Sequence, residues 1–134
     1  MDFPTPSIKA LLVCDSVAGE VGTGKKSLLG LFDKIRAGSF PCSHPQMTVY
    51  FCIVDAEGSY NFRLELVYLN TDEIIAKGEF GPLEVKDRFQ VVDASIALRG
   101  LTFPGAGKYE FRLYANGTFL ESKELTLIQI GATS

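Results

Sequence analysis

Tryptophan is absent from the 134-residue chain, and histidine occurs once, as His44. A lone histidine cannot build a His-rich metal centre, and it leaves acid–base chemistry near neutral pH with one ordinary candidate. Cysteine occurs three times, at positions 14, 42 and 52, with no CxxC pair. Neither a zinc knuckle nor a dithiol redox motif is therefore written here, and the odd count fits reduced thiols in a cytoplasm. No apolar run approaches the ~18 residues of a membrane-spanning helix. The start, "MDFPTPS", is acidic and proline-rich, and "ALLV" is too short for the apolar region of a signal peptide. Positive charge is also scarce. Thirteen Lys and Arg against 16 Asp and Glu give a net charge of −3, with the basic residues scattered, which argues against a nucleic-acid partner.

What is present is ordinary for one globular domain spanning 1–134, with residues 1–7 and 131–134 read as flexible ends. A chain of this length buries roughly two-thirds of its unfolded surface and needs no disulfide or metal to fold. From residue 46 onward the pattern is that of strands. "MTVYFCIVD" (47–55) precedes the turn "AEGS". In "YNFRLELVYL" (60–69), Tyr60, Phe62, Leu64, Leu66 and Tyr68 share one face while Asn61, Arg63 and Glu65 share the other. Alternation of period two marks a half-buried strand. "KYEFRLYA" and "TFLESKELTLIQI" are joined by Asn116-Gly117, a pair that tolerates the positive φ a tight hairpin demands. Turns every roughly 8 to 14 residues, too short for parallel crossovers, predict an antiparallel β-sandwich.

The segment "AGEVGTGKKS" (18–27) imitates a phosphate-binding loop. Gly19, Gly24 and Lys25 fit G-x-x-x-x-G-K-[ST], but the residue that must ligate Mg²⁺ through a hydroxyl is Lys26, and Ser27 comes one position late. Nucleotide binding at 19–27 is therefore disfavoured, and the segment reads as a glycine-rich turn between strands 8–17 and 27–36. Within 27–38, Leu28, Leu31, Phe32 and Ile35 follow helical spacing, so a short helix competes with a strand there. Gly30 weakens the helical alternative.

Two further features bear on function. Cys42 and His44 lie together in "FPCSHPQ" (40–46), read as a proline-bracketed loop, a small-ligand site or a weak nucleophile–base pair without a third member. Glu65, Glu79 and Glu110, interleaved with Arg63, Lys77 and Arg112, read as the charged outer surface of a sheet, and no G-x-S-x-G or H-E-x-x-H is present. "VYFCIV" is apolar on both faces, whereas an antiparallel sheet usually keeps one face wet. Either segment 27–38 covers the second face or another chain does. Tyr50, Val67, Leu69 and Tyr114 are the residues this reading places on an interaction surface, with a protein partner or self-association as its use.

"PGAGKYEF" (104–111) resembles the tyrosine corner of immunoglobulin-like and fibronectin-like domains, with Tyr109 two residues before the core position Phe111. That resemblance implies a sandwich of about seven to nine strands. "ALLVCDSV" (10–17), "SLLGLFDKIRAGSFP" (27–41), "HPQMTVY" (44–50), "FRLELV" (62–67) and "GKYEFRLYANG" (107–117) together resemble a family of small, uncharacterised bacterial proteins. The resemblance implies a bacterial, cytoplasmic setting and a sandwich-like fold, and it assigns no catalytic residue, cofactor or metal. The expectation is a non-catalytic interaction or assembly module, with a small-ligand-binding protein or minor enzyme using the 40–46 loop as the alternative.

Overall fold

The computed structural model describes residues 3–131. Nine strands run in the order β1 (Ser7–Gly19), β2 (Lys26–Leu31), β3 (Lys34–Ala37), β4 (Cys42–Val54), β5 (Gly58–Tyr68), β6 (Glu73–Val85), β7 (Val92–Phe103), β8 (Gly107–Ala115) and β9 (Thr118–Gln129). They form two sheets, one ordered β2-β1-β4-β7 and the other β3-β9-β8-β5-β6. The expected all-β sandwich is present.

Alternation decides which side chains meet between the sheets. Met47, Val49, Phe51 and Ile53 of β4 face Phe62, Leu64 and Leu66 of β5 and Phe111 and Leu113 of β8, all of them buried. Each such side chain contributes about 1.5–3 kcal/mol when fully withdrawn from water. The β8–β9 hairpin turns at Asn116 and Gly117, with φ of 46° and 81°. Asn116 also ties this turn to β5, its Oδ1 accepting from the Asn61 N–H at 2.9 Å. At the start of β8, the buried Tyr109 hydroxyl donates to the Gly105 carbonyl at 2.7 Å and accepts from the Gly105 N–H at 3.2 Å.

Segment 27–38 contains no helix. It divides into β2 in one sheet and β3 in the other, and β3 pairs in parallel with β9, Lys34 opposite Thr126. This is the one departure from antiparallel pairing among the described strands. Gly30, at φ 70°, is incompatible with a helix. The helical spacing misleads because Phe32 reaches the core from the connection between the sheets and Ile35 from β3, not from one helical face.

The near end of the chain is fastened. The Phe3 ring lies 6.0 Å from that of Tyr60, and the Pro4 carbonyl accepts from the Tyr60 hydroxyl at 2.7 Å. Phe3 and Pro4 stay exposed while making these contacts, and β1 begins at Ser7. The expected flexible positions 1–2 and 132–134 lie outside the described residues.

Candidate functional site

The glycine-rich segment closes a hairpin between β1 and β2. The Glu20 N–H donates to the Lys25 carbonyl at 2.7 Å, and the Gly24 N–H donates back to the Glu20 carbonyl at 3.3 Å. A strand follows where a phosphate loop needs a helix, and it runs antiparallel to β1. The backbone groups that would cradle phosphate there are partly engaged within the turn itself.

This hairpin covers the second face of "VYFCIV". Lys26 faces Gly19 at the hairpin tip, whereas Asp93 faces Cys52, whose β1 neighbour is Ala10. In a flat sheet the run from Ala10 to Gly19 would hold these points roughly 30 Å apart. Lys26 Nζ nevertheless lies 2.6 Å from Asp93 Oδ1. The tip must therefore curl back over the outer face of its own sheet. The bend falls at Asp15 and Gly30, which drop out of the β1–β2 register. Gly30, at φ 70°, holds the left-handed backbone that favours glycine, and a Cβ there would displace the Asp15 carboxylate. Cys14, Thr48 and Cys52, all on that outer face, are buried.

Under the arm, the Tyr50 hydroxyl donates to Asp93 Oδ2 at 2.9 Å. Burial, with the Asp93 hydrogen bond second, pushes the Tyr50 pKa up to about 12. Asp93 is held below the usual carboxylate value of 3.8, chiefly by the hydrogen bond from Lys26. The signs are opposite. Tyr50 adds stability that is complete below its ordinary value of 10.0 and is lost as pH climbs through about 12. Asp93 adds stability present above 3.8 and lost as pH falls through its lowered value. In Asp93→Asn, the Tyr50 midpoint should fall from about 12 but remain above 10.0, because burial is the leading cause. An ultraviolet titration, with Tyr50→Phe subtracted to isolate the residue, measures this directly.

The other residues placed on an interaction surface fare differently. Val67 is only 1% exposed, set between Ile74 of β6 and Glu110 of β8. Leu69 is half-buried. Tyr114 is half-buried too, with the Arg63 guanidinium 4.0 Å above its ring and Phe119 edge-on at 5.7 Å. Arg63 Nε sits 3.0 Å from Glu65 Oε2 without hydrogen-bond alignment, and Arg112 Nε donates to Glu110 Oε1 at 2.8 Å. Long charged side chains thus lie over the apolar residues of this face. Val67 is accordingly not available as a contact residue.

Cys42 and His44 stand in the first residues of β4, opposite Phe103 and Leu101, and not in a loop. The pairing between Pro45 and Gly100 is skipped, and Gly100 adopts φ 64°. This local break resets the alternation, so Cys42 and His44 share the face of Phe103 and Leu101 while Met47 continues the core beyond. Cys42 packs against the core, and burial raises its thiol pKa, the reverse of what activates a nucleophile. The His44 ring lies 5.8 Å from Phe32, beside a groove of about 400 Å³ that also includes Asp15, Lys34 and Arg36. Among the described residues, no three His, Cys, Asp or Glu side chains converge as metal ligands.

The feature the residue pattern did not single out is the edge formed by β7. It pairs with β4 on one side only, and it spans Val92–Phe103. The remaining edges are shorter, bent or interrupted by charge and proline, although β2 exposes Leu29 and Leu31. β2 begins with a lysine and is bent at Gly30, β3 has four residues, and β6 carries Lys77, Glu79 and Pro82. β7 presents the uncharged run "ASIAL" (94–98) between Asp93 and Arg99. Beside it, the gap between the two sheets opens as an apolar cleft of about 340 Å³, lined by Leu64, Gly78, Phe80, Ala94, Ile96 and Leu98. Gly78 faces the cleft opposite Leu64, and a Cβ there would meet open space. Phe89 and Val91, just before β7, are 88% and 56% exposed.

The described residues form a nine-stranded β-sandwich in two sheets, with a long, uncapped edge strand over an open apolar cleft. Residues 9–128 match the family of unknown function DUF6941, and the chain belongs to that family. No curated protein matches the chain. Among the described residues, no helix is long and apolar enough to cross a membrane.

Proposed function

We propose that the protein is a non-catalytic interaction or assembly module of the bacterial cytoplasm that works by accepting a strand along β7. The observation that carries this reading is the coincidence of an unprotected edge, an apolar cleft and exposed Phe89 and Val91 at one place. Main-chain hydrogen bonds along an open edge supply affinity, and a neighbouring pocket for alternate side chains supplies selectivity. The cytoplasmic setting draws support from three free thiols, and the bacterial one from the sequence resemblance. Ala97 is exposed and faces away from the core, so Ala97→Lys places a charge beside the edge without disturbing packing. Affinity capture from host extract should retain proteins on the unaltered chain that the variant loses. Identical recoveries from both would contradict the reading.

The cleft itself has a separate test. Gly78→Val fills open space on an inward strand position, so it should add about 1 kcal/mol of stability and raise the melting temperature by roughly 3–5 °C. Calorimetry checks this. A lowered melting temperature would mean that the cleft is already filled.

A further inference from the structure

Building on that interaction reading, we propose that the strand received by β7 is the β7 of a second copy, paired antiparallel about a two-fold axis at Ile96. The β7 edge is self-complementary. Asp93 and Arg99 are the only charged residues of β7, and both lie on its outward face with Ser95 and Ala97 between them. Ile96 is midway. Rotation about it sets Asp93 opposite the partner's Arg99, and Arg99 opposite the partner's Asp93. Ser95 meets the partner's Ala97 on the same face. On the inward face, Ile96 meets its own copy and Ala94 meets the partner's Leu98, so apolar atoms face apolar atoms over the cleft. A closed two-fold interface of this kind is isologous and uses one patch twice.

Other arrangements lose the match. Moving the axis by one residue in either direction leaves both charges unpaired. Parallel pairing in register sets Asp93 beside the partner's Asp93, and like charges directly opposite are unfavourable. Asp93 already accepts from Lys26 and Tyr50, one on each oxygen, but a carboxylate has about four lone-pair directions and retains room for an arginine. The resulting dimer joins the two β2-β1-β4-β7 sheets into one continuous sheet and removes the uncapped edge.

Sedimentation velocity across a range of concentrations should show a dimer for the unaltered protein. Arg99→Glu and Asp93→Lys should each weaken it at least about tenfold, since both ladder pairs become repulsive. An equimolar mixture of the two variants should restore dimer, because each charge then meets its opposite. Arg99 is exposed, so its variant keeps the fold even if Asp93→Lys, which breaks the Lys26 and Tyr50 contacts, does not. A photo-crosslinking residue at Ala97 should then report independently, by joining to the partner's Ser95. Unchanged dimerisation of Arg99→Glu, or a crosslink to any other segment, overturns the proposal. A strict monomer also overturns it, and hydrogen exchange then separates the two readings. Protection of β7 amides on adding host extract keeps the interaction reading and replaces the second copy with another protein, whereas no protection removes both.

Discussion

Phe51→Ala should cost about 3–5 kcal/mol and lower the melting temperature by on the order of 10–20 °C. Phe51 is fully buried on β4, with its ring 5.1 Å from Phe62 and 5.8 Å from Phe80. It is the aromatic that bridges the sheets beside the open cleft. Truncation removes the transferred ring and leaves a cavity that Phe62 and Phe80, themselves held in a near-parallel stack at 5.3 Å, can fill only partly. A loss of this size is a large share of the roughly 5–15 kcal/mol that keeps a domain folded. Denaturant unfolding measures it. A cost below about 1 kcal/mol would mean that the core at this end is loosely packed.

Tyr109→Phe should cost about 2–3 kcal/mol while leaving the ring contacts in place. The ring stacks on Tyr68 at 4.4 Å and meets Phe103 edge-on at 5.1 Å, and phenylalanine keeps both. What disappears is the hydroxyl that pairs with both the N–H and the carbonyl of Gly105, leaving two part-buried backbone groups without that partner. Tyr68→Phe is a useful comparison, since its hydroxyl donates to the Ala106 carbonyl at 2.7 Å and accepts from Asn70 Nδ2 at 3.1 Å, so only one backbone group loses its partner. Burial raises the Tyr109 pKa above 10.0, so its stabilising effect is complete below that value and fades as pH rises past it. Equilibrium unfolding of the two variants, compared in urea, ranks them.

Elements stated in local chemistry were legible in the residues. The alternation of β5 announced Tyr60, Phe62, Leu64, Leu66 and Tyr68 as core, and all five are buried. Asn116-Gly117 announced the last hairpin, and the misplaced Lys26 revealed that the glycine-rich segment was a turn. Elements that depend on distant partners were not legible. The division of 27–38 between two sheets needs β9, more than eighty residues downstream, to receive β3. Burial of Val67 depends on its cross-strand setting between Ile74 of β6 and Glu110 of β8, partners that the local alternation of β5 does not name. The arm over Tyr50 depends on one bend at Asp15 and Gly30, where a glycine in an apolar run carries no mark of direction. The β7 edge was hidden for the same reason. "ASIAL" has the composition of a central strand, and only the strand order shows that one of its sides is free.

Amide hydrogen exchange along Ala94–Leu98, followed as protein concentration is raised, is the most direct measurement. The strand-accepting account predicts that outward-pointing amides of this run exchange freely in dilute solution and become protected as copies associate. Rates that stay fast at every concentration, with host extract present as well as absent, would contradict it.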